Sequence, residues 1–90
     1  MRESDLEKFT RLYIKLHGGL ALKFISPGFA GVPDRLVLMP GGKLCFMELK
    51  APGRKPRPLQ VRRIKQLRAL GFKVYVVDGK EEIGGIIDAL

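Results

Sequence analysis

The chain predicts an α/β domain in which helices flank a mixed sheet, in the order α-β-β-β-α-β-α. Apolar spacing switches along the sequence between a three-to-four-residue repeat, which marks helices, and alternation, which marks strands. Glycines and prolines cluster between these segments and punctuate them. Ninety residues suit one domain over 1–90, with a thin stability margin that association would relieve.

The elements follow in order. Residues 4–17 read as a helix, with Leu6, Phe9, Tyr13 and Leu16 on its apolar stripe and Gly18-Gly19 as the stop. A short strand covers 20–25. Two prolines and two glycines make 26–33 a loop. Strands at 35–39 and 43–50 flank Pro40-Gly41-Gly42, and a loop with three prolines and a glycine spans 51–58. Pro58 opens a second helix over 59–70 and Gly71 ends it. Residues 72–77 form a β-branched, aromatic strand. A short helix over 80–90 is weakened by Gly84 and Gly85.

Charge narrows the function. The chain carries a formal +8 with a pI near 10.1, which points to a polyanionic partner, with nucleic acid ahead of a membrane surface. No segment approaches the roughly 18 apolar residues of a spanning helix. The charged N-terminus leads into no signal-like apolar stretch, so the expected location is cytoplasmic, on nucleoid or viral DNA, and not secreted. One cysteine excludes an intrachain disulfide, and Cys45 in an apolar strand reads as a buried structural thiol. One His and one Cys cannot build the usual zinc site. Any metal must be held by carboxylates, which suits Mg²⁺ or Mn²⁺.

The chemistry-bearing residues lie on the central strands. Glu48 and Lys50 project from one face of their strand, where Leu44 and Phe46 precede them. Taken alone, they could be solvated charges at a strand end. Asp34 adds to them. A three-residue Pro40-Gly41-Gly42 connection, a type I turn followed by a left-handed glycine, makes Met39 face Lys43. Leu36 then faces Phe46, and Asp34 faces Glu48 on the same sheet face, with Lys50 a step beyond. A two-residue Gly-Gly turn would set Asp34 beside Leu49, on the wrong face. Two facing carboxylates resist joint ionisation unless a cation lies between them. A divalent ion there would polarise a phosphodiester and activate a water, with Lys50 to position or deprotonate that water or to neutralise phosphate charge.

Gly31-Val32-Pro33-Asp34 followed by Glu48-Leu49-Lys50 resembles the PD-(D/E)XK nuclease signature. The wider set is similar to the virus-type replication-repair nuclease (VRR-NUC) domain. It comprises an early helical Glu, the Gly-Gly stop, Lys23-Phe24-Ile25-Ser26-Pro27-Gly28, Pro33-Asp34-Arg35, Glu48-Leu49-Lys50-Ala51-Pro52 and Pro58-Leu59-Gln60. The resemblance spans essentially the whole chain and implies a stand-alone copy with a restriction-endonuclease-like core. It implies Mg²⁺- or Mn²⁺-dependent phosphodiester hydrolysis, by Asp34, Glu48 and Lys50, with the Leu49 backbone carbonyl among the metal ligands. Glu3 enters as a further catalytic or metal-site carboxylate, with Glu7 in reserve. Gln60 enters as a residue beside the nucleophilic water, Lys50 or the phosphate. Read from sequence alone, Glu3 could equally be a first-turn acid and Gln60 a wet helix start.

No acidic residue occurs between Leu49 and Val77, while basic residues recur throughout. Arg54, Lys55 and Arg57 sit in the Pro-rich loop. Arg62, Arg63, Lys65 and Arg68 are expected on the exposed side of the second helix. Uniform charge of this kind is costly without a partner and suits a phosphate-tracking surface. Arg35, beside the proposed Asp34, joins this DNA-binding set. Small stand-alone members of the family are similar to dimeric resolvases of four-way DNA junctions, so the resemblance implies a divalent-metal-dependent endonuclease of branched DNA, a four-way-junction resolvase acting as a homodimer. The alternatives are a flap or single-strand nuclease with the same centre, or a non-catalytic basic DNA-binding module. For the dimer contact, the C-terminal Ile83, Ile86, Ile87 and Leu90, the first helix, and Phe29-Ala30 are the candidates, against closure of these groups into the monomer's own core.

Overall fold

A computed structural model describes residues 1–90. The elements are α1 (Glu3–Leu16), β1 (Leu20–Lys23), β2 (Arg35–Met39), β3 (Lys43–Leu49), α2 (Pro58–Ala69), β4 (Val74–Val77), a 3-10 turn (Lys80–Glu82) and α3 (Ile83–Ala89). The four strands lie in the order β1-β2-β3-β4. The first two pairings are antiparallel. β3 and β4 are parallel, as a strand return through the crossover helix α2 requires. No helix is long and apolar enough to cross a membrane.

The β2–β3 register is the one that the three-residue hairpin predicts: Leu36 pairs with Phe46, Leu38 with Leu44, and Met39 with Lys43. The turn itself differs from expectation. Gly41 has φ +84° and Gly42 +72°. Positive φ directly after Pro40 is the type II signature, not type I, and glycine adopts it freely. The connection keeps its length, so the register is unchanged.

The two sheet faces are covered unequally. Val37, Cys45, Met47, Leu49 and Val77, all odd positions, form one buried cluster with Leu6 and Ile14 of α1 and Ile83 of α3. Ile86, Ile87 and Leu90 pack against this cluster. The C-terminal segment and α1 thus contribute these side chains to the chain's own core. On the other face α2 covers β3 and β4, burying Ile64 and Gln60. The β1–β2 part stays open, with Leu20 56% and Leu22 43% exposed.

α1 also turns a different side inward from the predicted stripe. Leu6, Thr10 and Ile14 are buried at four-residue spacing, and the Thr10 hydroxyl is satisfied by the Leu6 carbonyl at 2.8 Å. Phe9 and Tyr13 flank them. Leu16 is 84% exposed. Gly18 and Gly19 then end α1 through the paired bonds Gly18 N–H to Lys15 O (3.1 Å) and Gly19 N–H to Ile14 O (2.9 Å). Gly18 takes the left-handed φ of +86° that this C-cap needs. Gly19 is required for a further reason, since a Cβ there would strike the Leu38 carbonyl oxygen and the Met39 sulfur. That close approach sets the entry to β1 against β2.

Candidate active site

The β2–β3 ladder runs to Arg35–Met47, and the next facing pair in that register is Asp34 and Glu48. Here side chains take over from the ladder. The Asp34 N–H donates to Glu48 Oε1 at 3.2 Å, and the Leu49 N–H donates to Asp34 Oδ1 at 3.1 Å. Each carboxylate is thereby fixed by the backbone of the other strand. Lys50 follows two residues after Glu48, just past the end of β3, and its Nζ is 3.1 Å from Glu48 Oε2.

Gln60 reaches the same oxygen from α2, with Nε2 donating to Glu48 Oε2 at 2.9 Å. Its Oε1 accepts the Arg57 N–H at 2.9 Å. That is the backward half of a capping box. The Arg57 side chain has no acceptor with which to supply the forward half. One buried amide therefore both closes the start of α2 and holds Glu48. Both partners were needed, because a buried amide left unpaired is costly.

Asp34 Oδ2 has no protein partner among the hydrogen bonds, and no buried side-chain oxygen or nitrogen is left unsatisfied. That oxygen therefore faces the cleft. Burial, joined by the Glu48 charge and opposed by the Leu49 N–H, pushes the Asp34 carboxyl up to about 6. The pair thus carries an electrostatic conflict that a cation would relieve. The donors are all hard oxygens, and two carboxylates with water and phosphate completing the shell are a usual Mg²⁺ environment. The residues present fit Mg²⁺ or Mn²⁺.

The cleft has a volume of about 470 Å³ and is lined by Glu3, Asp34, Glu48, Lys50, Ala51, Arg54, Lys55, Arg57 and Gln60. Glu3, and not Glu7, borders it. Glu3 is the exposed first residue of α1, however, and no three acidic, His or Cys side chains stand close enough to share one ion. It stands at the cleft rim. The other concavity, about 230 Å³, is lined by Lys43, Phe72 and Leu90 among others and holds no acidic side chain.

The basic residues divide. Arg54, Lys55 and Arg57 line the cleft, and Arg62 and Lys65 are exposed on α2. Arg63 is partly committed: its Nε donates to the Ala30 carbonyl at 2.8 Å and its guanidinium lies 3.7 Å from the Phe29 ring centroid. The structure does not place Arg35 with the free cations. At an odd position it points to the α1 side of the sheet, where it is 12% exposed and pairs with Glu7 Oε2 at 3.7 Å. Arg68 is likewise tied, donating to the Val74 carbonyl through Nε (3.2 Å) and Nη2 (2.6 Å). Sequence reasoning missed Asp78, whose Oδ2 accepts the Gly53 N–H at 3.2 Å and fastens the basic loop to the end of β4. Nothing local announces that contact, since 25 residues separate its ends. Cys45 is fully buried and its thiol is pushed up to about 11 by that burial, so it is inert.

The fold and this carboxylate–lysine arrangement define an α/β protein of the PD-(D/E)XK type. No protein-family model matches the chain. A solved structure described as a VRR_NUC domain superposes with a TM-score of 0.87 at 32% identity, covering 96% of this chain and 94% of that one. The protein named "Putative nuclease p44" of Acyrthosiphon pisum secondary endosymbiont phage 1 is 47% identical over 90 residues, covering 100% of this chain and 96% of that relative. The chain belongs to the VRR-NUC nuclease family.

Proposed function

We propose that this protein is a Mg²⁺- or Mn²⁺-dependent endonuclease that hydrolyses phosphodiester bonds in branched DNA, acting as a homodimer on four-way junctions. The observation that carries the chemistry is the facing Asp34–Glu48 pair, with Lys50 on the Glu48 carboxylate, at the bottom of a cleft rimmed by Arg54, Lys55 and Arg57. Asp34, Glu48 and the Leu49 carbonyl would hold the ion. Bound there, it supplies Lewis-acid polarisation of phosphate oxygens and lowers the pKa of water.

The chain's own groups do the rest. Arg54, Lys55 and Arg57 bind the DNA backbone and hold a phosphate at the cleft. Gln60 keeps Glu48 in one rotamer through its 2.9 Å bond, so the two carboxylates need not reorganise when substrate enters. Lys50 carries its charge and protons on Nζ at the cleft, where they oppose the negative charge that grows on the phosphate. Strand cuts related by two-fold symmetry need two such centres, and each chain has one. The open β1–β2 face, with Leu20 and Leu22 exposed, gives a second copy an apolar surface to cover.

The test is the purified protein with Mg²⁺ or Mn²⁺ and labelled four-way, flap, single-stranded and linear DNAs. Metal-dependent cleavage is expected, with the four-way junction preferred. Preference for flaps or single strands would replace the junction assignment. Binding without hydrolysis under every metal would show a non-catalytic DNA-binding module.

A further inference from the structure

Phe29 is a large aromatic in the loop between β1 and β2 and is 46% exposed. One of its faces is taken. The Arg63 guanidinium lies 3.7 Å from the ring centroid. That guanidinium is itself fixed, by the Ala30 carbonyl at 2.8 Å and the Gln66 Oε1 at 3.0 Å. The exposure of Phe29 therefore belongs to its other face and its edge. The loop beneath is pinned as well. Phe29 N–H closes a turn on the Ser26 carbonyl at 3.1 Å. Gly31, at φ +87°, sits so close to α2 that a Cβ would come within 2.8 Å of Leu59 Cγ. The ring is a fixed platform and not a floating side chain.

Its position bears on the cleft. Asp34 is five residues further along the chain, which limits the separation to about 17 Å, or roughly five base-pair steps of one strand. Leu59, against which the loop packs, directly precedes Gln60. The charged group against the ring, Arg63, is cationic, and the chain as a whole carries a formal +8. A flat apolar ring backed by a guanidinium, in a strongly basic chain, suits a ligand that is both anionic and aromatic. A nucleotide is that ligand: its phosphates meet the cations and its base has a π-face for the ring.

We infer that Phe29, backed by Arg63, stacks on an unpaired nucleobase near the scissile phosphate and so selects DNA that has one. This rests on the nuclease reading above and deepens it, because branch points and loops expose bases that intact duplex keeps stacked. No sequence preference is expected, since every base offers a face.

The experiment is fluorescence anisotropy in EDTA, so that no cleavage occurs, on a duplex with one unpaired thymine and on its fully paired counterpart. Wild type should prefer the first. Phe29→Ala should weaken binding to it by roughly ten- to a hundredfold and leave paired duplex nearly unchanged. Phe29→Tyr and Phe29→Trp should restore the preference. Phe29→Leu preserves the apolar bulk on the loop without the π-face and should behave as Phe29→Ala does. If Leu matches wild type, or if Ala weakens both DNAs equally or neither, the stacking platform is wrong. Metal-dependent cleavage by wild type is scored separately. Base selection without any hydrolysis would sink the nuclease reading and spare the platform, and hydrolysis without base selection would do the reverse.

Discussion

Glu48 is held from three directions: by the Asp34 N–H, by the Gln60 amide and by the Lys50 ammonium. Of these, the amide is the one whose only evident service to the site is orientation. Gln60→Ala should cut turnover about ten- to a hundredfold, the usual range when a partner that orients a site carboxylate is lost, with DNA affinity little changed. Gln60→Glu separates the capping role of the residue from its hold on Glu48. It retains an acceptor for the Arg57 N–H, so helix stability returns, but it sets a second carboxylate against Glu48, so turnover does not. Equal recovery of both would show that Gln60 acts only as a cap. Asp34 offers a different handle. Its folded value of about 6 lies above the ordinary 3.8, so the metal-free fold is favoured by protonation. That contribution is fully present below about pH 4 and is lost as pH rises through about 6. Added Mg²⁺ or Mn²⁺ should therefore raise Tm more at pH 7.5 than at pH 5, and Asp34→Asn should flatten the difference. A metal-induced rise equal at both pH values would take Asp34 out of the metal centre.

The hairpin and the helix ends decide where these side chains meet. The length of Pro40-Gly41-Gly42 and the alternation around it made the Asp34–Glu48 facing legible in sequence, even though the turn is type II and not type I. Register depends on how many residues connect two strands, and either turn provides the same number. The side of α1 that faces inward was less legible. Leu16 fits a helical repeat as well as Ile14 does, and only the packing across the buried sheet face selects Leu6, Thr10 and Ile14. The commitments of Arg35, Arg63 and Arg68 were not legible at all, because each partner comes from a distant element or a loop. Gly19 shows how tight that packing is. Gly19→Ala should destabilise the fold by about 1–3 kcal/mol, since the Leu38 carbonyl that the new methyl meets is backbone and cannot swing away. Urea unfolding measures it, and an unchanged midpoint would show that the connection from α1 to β1 is not packed against β2 as described.

The molecule as a whole is a sheet with one fully covered face and one partly open face, and the cleft lies on the open side. Which strands α2 covers follows from the crossover between β3 and β4, a property of chain path that residue patterning does not encode; hence the open β1–β2 surface could not be read in advance. If a second copy covers it, the wild-type protein should sediment as a dimer at micromolar concentration. Leu22→Glu should yield monomers that remain folded, because Leu22 is exposed in the single chain. Such a monomer should lose paired cutting of a four-way junction while still making single nicks. A wild-type monomer of about 10.1 kDa with junction DNA bound would end the symmetric-resolvase reading and leave a single-cut nuclease.

The central claim, that Asp34, Glu48 and Lys50 form a hydrolytic centre, is tested most directly by Lys50→Ala. Cleavage and binding should be measured on the same labelled branched DNA, with Mg²⁺ or Mn²⁺ for cleavage and EDTA for binding. Cleavage should be lost while the chain stays folded and affinity stays close to wild type, because Lys50 acts on charge at the reacting phosphate and the basic rim supplies the affinity. Wild-type turnover in Lys50→Ala would contradict the claim.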